Sequence, residues 1–72
     1  MIKISAARIR EIVDGIDGKI IEGVRYDLDS GPKGLVATFT SDADDEEAAM
    51  ANLKKHLKAT FPAFMFYIER NG

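Results

Sequence analysis

The chain of 72 residues contains no cysteine and no tryptophan, and it contains only 2 prolines. Without cysteine it has no disulfide framework, no thiol nucleophile, no iron–sulfur cluster and no thiolate zinc site. A cysteine-free chain suits a reducing compartment, and no hydrophobic signal segment or membrane span follows Met1, so we expect a cytoplasmic protein without membrane contact. The length predicts a single small domain over residues 1–72 with a core of marginal size.

The chain also lacks a dominant charge of one sign. Lys and Arg number 10, Asp and Glu number 12, and the formal net charge is −2. General affinity for nucleic acid needs a positive field that releases counterions, so this balance argues against a nucleic-acid partner. The hydrophobic content of 46% is that of a folded domain. We expect disorder only at residues 71–72.

The clearest positive pattern is an amphipathic helix over residues 41–61. Its first residues are acidic and its last are basic, which complements the helix macrodipole. Apolar side chains recur at spacings of three and four around Leu53 and Leu57, so one stripe of this helix must be covered. Ser41 or Asp42 is expected to cap the helix, and the remaining acids to solvate its first turn.

The first half of the chain predicts a short strand, a helix and a hairpin. Residues 2–4 alternate as a strand does, and Ser5 offers an N-cap for a helix that ends near Ile16. From Lys19 the period changes to two, which indicates a strand. A cluster of turn formers at residues 29–34 then predicts a hairpin with the next strand.

The second half adds a strand at residues 35–40 and, after Pro62 has ended the long helix, a strand at residues 63–70. The order β-α-β-β-α-β favours an α+β two-layer sandwich with a ferredoxin-like strand order, in which both helices cover one face of a mixed sheet. If residues 2–4 are not a strand, the order α-β-β-α-β favours a three-stranded sheet, as in KH-like domains.

One segment, residues 33–40, resembles the start of the RNP1 sequence of RNA-recognition motifs. Leu35 and Ala37 stand where that motif has the aromatic side chains that stack on bases. The sequence therefore predicts no base-stacking platform on this strand, although the strand falls at the position that the resemblance requires.

No side chain has the partners that catalysis needs. His56 is the single histidine, and its neighbours on the helix are Lys54, Lys55 and Lys58, so no carboxylate orients it as a base. The serines are explained as caps or turn residues. We therefore expect no enzymatic activity, no cofactor and no metal site.

The surface that remains for function is the face of the sheet that the helices leave open. Phe64, Phe66 and Ile68 are expected to face the core together with Leu35, Ala37 and Phe39. The opposite face is expected to form a partly apolar protein interface, built from Ile21, Arg25, Val36, Thr38, Thr40, Met65 and Tyr67. This pattern favours a small non-enzymatic interaction or regulatory module that associates with a protein partner or with itself. The alternative is that these are scattered exposed apolar residues of the ordinary kind.

Two other functions are kept as alternatives. The first is nucleic-acid binding through basic side chains at the end of the long helix and the start of the first helix, namely Lys54, Lys55, Lys58, Arg8 and Arg10. The second is metal binding by the acids of residues 42–47, which would supply several carboxylate oxygens close together but lack the pattern of a calcium loop.

Overall fold

The computed structural model describes residues 1–70. Its elements are β1 (Ile2–Ala6), α1 (Ile9–Ile16), β2 (Lys19–Ile21), β3 (Val24–Lys33), β4 (Val36–Ser41), α2 (Glu46–Thr60) and β5 (Phe66–Arg70). The strands form a 5-stranded sheet in the order β2-β3-β4-β1-β5, and every neighbouring pair is antiparallel. One face of this sheet is buried against both helices and the other is open. The expectation for residues 71–72 lies outside the described part of the chain.

The two-layer α+β arrangement is confirmed, but the sheet has one more strand than expected and is antiparallel rather than mixed. The additional strand arises because Glu22 and Gly23, with φ of 52° and 80°, form a two-residue turn that folds β2 back on β3. β3 does run parallel to β1, as the crossover through α1 predicts, but β4 lies between them and is antiparallel to both.

The strand predicted at residues 2–4 is confirmed, and it lies between β4 and β5 in the sheet. Ile2 and Ile4 are fully buried, so β1 is part of the core and the three-stranded KH-like alternative is wrong. Ser5 belongs to β1 and does not cap a helix. α1 begins at Ile9 after Arg8, whose side chain makes no capping hydrogen bond.

The turn predicted at residues 29–34 is displaced, because β3 continues through this cluster to Lys33. Its pairing with β4 shifts register twice, which absorbs the irregular residues as bulges. β2 pairs with only the first residues of β3, so within the described chain the rest of β3 is an edge, where Pro32 is tolerated. The turn is formed by Gly34 and Leu35, and Leu35 is 57% exposed instead of lying in the core.

The long helix α2 is confirmed but begins later than expected. Its N-cap is Asp45, whose Oδ1 accepts a hydrogen bond from the backbone N–H of Glu47 at 3.0 Å, so neither Ser41 nor Asp42 is the cap. Asp42 instead accepts a hydrogen bond from the backbone N–H of Arg25 at 2.8 Å and ties β3 to the loop before α2.

The core lies between the helices and the covered face of the sheet. Phe64, Phe66 and Ile68 are half-buried and pack against its edge, in partial agreement with the prediction. The largest fully buried side chains come from both layers and are Tyr26, Phe39, Ile2, Ile4, Ile12, Ile16, Leu53 and Leu57.

A buried hydroxyl connects the two layers. The hydroxyl of Tyr26 donates a hydrogen bond to the carbonyl of Ala49 in α2 at 2.8 Å. The Asn52 side-chain amide donates to the Tyr26 oxygen at 3.1 Å and to the carbonyl of Ile21 at 2.9 Å. Burial raises the pKa of the Tyr26 hydroxyl, the hydrogen bond from Asn52 acts in the opposite direction, and the negative charge of Asp42 raises the pKa further.

We expect Tyr26→Phe to lower the stability by about 1 kcal/mol at neutral pH, because it removes the hydrogen bond to Ala49. The unfolded tyrosine has a pKa of about 10, and the folded pKa is higher, so the neutral hydroxyl contributes fully below that pH and loses its contribution as pH rises through the folded pKa. Urea denaturation of both proteins on either side of pH ~10 measures this. A stability difference that stays constant across that range would contradict the account.

Candidate functional site

One predicted interface residue, Ile21, lies on the covered face of the sheet and not on the open face. Ile21 is 7% exposed and lies under the helices, because the turn at Glu22 and Gly23 interrupts the strand whose alternation was used to place it. Ile20 takes the open face instead, where it is 70% exposed and opposite Arg25. The placement of Ile21 in the interface is therefore wrong.

Three other predicted residues lie on the open face and make polar contacts within the chain. The Arg25 Nε atom is 3.1 Å from Asp27 Oδ2, so this guanidinium already has an acidic partner. Thr38 is half-buried, and its hydroxyl donates a hydrogen bond to the carbonyl of Ser30 at 3.4 Å. Thr40 is exposed and its hydroxyl donates to the Asp27 carbonyl at 3.4 Å. The β3 side of the open face is thus polar and internally satisfied.

The apolar part of the open face lies at the other side and is called here the apolar patch: Leu35, Val36, Met65 and Tyr67. Met65 is 88% exposed, Tyr67 75% and Leu35 57%, while Val36 is half-buried. Val36 and Tyr67 are both register partners of Ser5, which places them in one row across β4, β1 and β5. Leu35, Met65 and Tyr67 line an open depression of about 310 Å³. Met65, Tyr67 and Val36 are therefore grouped as predicted, with Leu35 as an unexpected member.

One pair of opposite charges beside the apolar patch is matched within the chain. Lys3 and Glu69 are register partners on the open face, and Lys3 Nζ is 3.0 Å from Glu69 Oε1. Both side chains are partly exposed, so the pair contributes little to stability. Lys33, the register partner of Val36 on β3, is exposed and makes no ion pair within residues 1–70, so it adds one positive charge to the rim of the patch.

A second concave surface, which sequence analysis did not find, lies between α2 and the outer side of β5 and is called here the α2–β5 groove. Its volume is about 550 Å³. Lys54 and Lys58 line it from α2, and it is otherwise lined by Phe61, Pro62, Phe64, Met65, Phe66, Tyr67 and Ile68. The sequence shows aromatic side chains after the helix at Phe61, Phe64, Phe66 and Tyr67, but this pattern alone does not locate a groove.

Aromatic stacking closes one end of the groove. The rings of Phe61 and Phe64 stack with centroids 4.8 Å apart and an interplanar angle of 14°. The Arg8 guanidinium carbon lies 5.2 Å from the Phe64 ring centroid, and Arg8 Nη1 is 3.4 Å from Glu11 Oε2. Arg8 is thus held by an aromatic ring and a carboxylate instead of projecting freely towards a polyanion.

The five basic residues of the nucleic-acid alternative lie in different settings. Lys54 and Lys58 line the α2–β5 groove, whereas Lys55 lines a separate cavity of about 140 Å³ with Glu22. Arg10 is exposed on α1. These five side chains therefore do not form the continuous basic surface that binding along a phosphate backbone requires.

The acids and the histidine have local partners. Asp42 and Asp45 accept backbone hydrogen bonds, as described above, and within residues 1–70 no group of three or more His, Cys, Asp or Glu side chains is placed to hold a metal ion. His56 is half-buried, and its Nε2 atom lies 3.4 Å from the Thr60 hydroxyl, one turn along the same helix.

Comparison with models of protein families, with curated proteins and with solved structures finds no match to this chain. Of the helices in the described residues, neither is long and apolar enough to cross a bilayer. The surfaces with functional potential are accordingly those that the geometry itself defines, the apolar patch and the α2–β5 groove.

Proposed function

We propose that this chain is a non-enzymatic protein-interaction module that associates with a second copy of itself through the apolar patch. The observation that carries the proposal is the grouping of Leu35, Met65 and Tyr67. They are three of the large apolar side chains that the described chain exposes, and they meet in one depression. A contiguous exposed apolar surface on a small soluble domain is typical of an interface.

The charge distribution favours a second copy as the occupant of the patch. A two-fold interface brings the same surface of both copies together, so an unpaired charge on that surface would be repelled by the same charge on the other copy. The patch residues themselves are uncharged, and Lys3 and Glu69 neutralise each other beside them at 3.0 Å, so the like-charge contact left for a two-fold interface is that of Lys33, opposite Val36 on β3. The patch is therefore suited to self-association.

A stable dimer needs more contact area than the patch alone supplies, so the interface extends beyond the patch. A specific interface buries about 800 Å² on each partner, which is roughly one-sixth of the 4552 Å² that the chain exposes. The patch supplies the apolar centre of such a contact, and the neighbouring open face of β1, β4 and β5 supplies its polar rim, including Ser5 and Thr38.

We expect Leu35→Asp to weaken dimerisation by at least about tenfold, because it places a charge at the centre of an apolar contact. Sedimentation equilibrium over a wide concentration range measures the dissociation constant. Ile20→Asp is the matched control, since Ile20 is 70% exposed on the same face but at the opposite edge of the sheet. A wild-type protein that stays monomeric, or an equal loss in both variants, would refute the proposal.

The finer fold assignment and the location are part of the same proposal. If β2 is treated as an added hairpin strand, the remaining order β3-β4-β1-β5 supports a ferredoxin-like unit with one additional edge strand. An experimental structure with β1 at an edge of the sheet would rule this out. The cysteine-free composition supports a cytoplasmic location for the dimer, which localisation of a tagged full chain tests directly.

A further inference from the structure

The outer edge of β5 is a strand-pairing surface that nothing in the described chain covers. β5 pairs with β1 along one side, and the sheet order places it at the end of the sheet. An edge strand presents a row of free backbone N–H and C=O groups, which proteins usually blunt with short length, charge or proline. The β2 edge is blunted, because it has three residues, whereas β5 presents Phe66, Tyr67 and Ile68 in succession.

The α2–β5 groove runs beside this open edge and gives it a cationic rim. Lys54 and Lys58 line the groove, and within the described residues neither makes an ion pair, whereas Arg70 of β5 pairs with Glu46 at 3.4 Å. The floor is apolar and aromatic, with Phe66 and Ile68 facing α2. The groove therefore combines a backbone-pairing edge, apolar contact surface and two free positive charges.

The charge of the rim excludes a second copy of this chain as the occupant. A two-fold axis perpendicular to the sheet at the β5 edge would pair the two β5 strands antiparallel and keep both α2 helices on one face, so Lys54 and Lys58 of one copy would face the same lysines of the other. Like charges brought together at an interface cost binding free energy. The groove thus differs from the apolar patch, which lies beside the ion pair of Lys3 and Glu69, and its two lysines favour an acidic partner.

We propose that the α2–β5 groove binds an extended acidic peptide segment, which adds to the sheet as a strand antiparallel or parallel to β5. Strand addition at a sheet edge supplies affinity through backbone hydrogen bonds and specificity through alternate side chains. The groove shares Met65 and Tyr67 with the apolar patch, but Lys54 and Lys58 lie outside the patch.

The spacing of the two lysines specifies the peptide pattern. Lys54 and Lys58 are one helical turn apart, which corresponds to about 6 Å along the helix axis. Alternate residues of a strand are separated by about 6.7 Å and point to the same face. Two carboxylates at alternate positions therefore match the two ammonium groups. Apolar side chains at the next alternate positions on either side would contact the aromatic floor.

The probe is the synthetic peptide Leu-Thr-Glu-Thr-Glu-Thr-Leu, labelled with a fluorophore and titrated with the full chain in a fluorescence-anisotropy assay. We expect saturable binding that weakens as salt rises. Lys54→Glu and Lys58→Glu should each weaken it by at least about tenfold, since each replaces an attractive contact with a repulsive one. Lys55→Glu, the same charge change on a side chain that lines a different cavity, should alter binding by less than about twofold.

Further probes separate strand addition from simple charge attraction. The peptide with Gln in place of both Glu residues should bind at least about tenfold more weakly. A peptide N-methylated on alternate amides should lose binding when the methylated face meets β5, because the backbone hydrogen bonds are blocked. The proposal would be overturned if either control peptide bound as tightly as the acidic peptide, if all three lysine variants weakened binding equally, or if the acidic peptide did not bind. Lysine-dependent binding of duplex DNA without peptide binding would also overturn it.

Self-association is measured on the same samples without peptide. Lys58→Glu should leave the dimer intact, and Leu35→Asp should leave peptide binding intact, because Leu35 is not part of the groove. Circular dichroism confirms that each variant is folded. If the unsubstituted chain binds the peptide but does not dimerise, only the proposal for the apolar patch fails. If it dimerises but does not bind the peptide, only the proposal for the groove fails.

Discussion

Replacement of Phe39 by alanine is expected to cost about 3–5 kcal/mol of stability, the largest effect of any single substitution considered for this chain. Phe39 is fully buried in β4, opposite Ile2 of β1 and Leu28 of β3. Truncation removes the ring from the centre of the sheet, and the neighbouring strands hold the cavity open. A domain of this size has a total stability on the order of 5 kcal/mol, so the variant should retain no more than about 2 kcal/mol and unfold at a much lower urea concentration.

Ile20→Ala provides the control for this substitution. It also shortens a large apolar side chain, but Ile20 is 70% exposed on the short edge strand β2, so its change should stay within about 0.5 kcal/mol. Urea denaturation followed by circular dichroism measures both variants. If Phe39→Ala were as stable as Ile20→Ala, the placement of Phe39 in the core would be wrong, and with it the assignment of the open face.

Gly31→Ala is expected to destabilise the fold by about 2–4 kcal/mol. Gly31 has a φ of 95°, a conformation that residues with a side chain rarely adopt. A Cβ atom added there would also lie 2.8 Å from the carbonyl oxygen of Val36 and 3.2 Å from the Cα of Ala37, both of them backbone atoms of the adjacent strand. The strain cannot be relieved by rotating a side chain, so β3 and β4 would have to separate.

Gly34→Ala separates the cost of the positive φ from the cost of the steric contact with β4. Gly34 has a φ of 60°, and a Cβ atom there would meet no atom within 4 Å. This substitution should therefore cost only the conformational penalty, about 1 kcal/mol. Equal losses in the two variants would show that the close approach of Gly31 to β4 carries no energy, and the irregular pairing of β3 would then need another explanation.

The helices could be predicted from the sequence because their signals are long and local. The apolar stripe of α2 around Leu53 and Leu57 and that of α1 around Ile12 both lie where the 3.6-residue period placed them. The strand at residues 2–4 was also predicted correctly, although it is short. Its central position in the sheet depends on pairing with distant segments, which local alternation does not reveal.

The errors in the sheet come from turns. A two-residue turn that uses Glu22 at a positive φ has no strong sequence signature, because Asn or Asp is the usual residue there. Missing it reversed the faces of Ile20 and Ile21, since one residue of slip exchanges the two sides of a strand. The turn formers at residues 29–34 gave the reverse error, because they have a strong turn signature but do not form the turn. They occupy bulges at an edge instead of a turn.

The candidate site was predictable in part. Val36, Met65 and Tyr67 were placed on the open face by simple alternation, whereas the contribution of Leu35 depends on the position of the turn at Gly34. The α2–β5 groove was not predictable, because it is formed by the relative placement of a helix and a strand. The two lysines that define it were identified from the sequence, but as a nucleic-acid surface.

The charges that lie beside them distinguish the two surfaces of this chain. The apolar patch lies beside the neutral pair of Lys3 and Glu69 and is suited to a copy of itself, whereas the α2–β5 groove carries Lys54 and Lys58 and is suited to an acidic strand. The surfaces share Met65 and Tyr67 at their boundary.

The most direct test of self-association through the apolar patch is a dilution series of two-dimensional ¹H–¹⁵N NMR spectra of the uniformly labelled chain. The account predicts that the amide signals that shift with concentration belong to the patch and its rim, with Leu35, Val36 and Tyr67 among the largest changes, while those of α1 and β2 stay fixed. Spectra that do not change with concentration, or changes centred on α2 or β2, would contradict it.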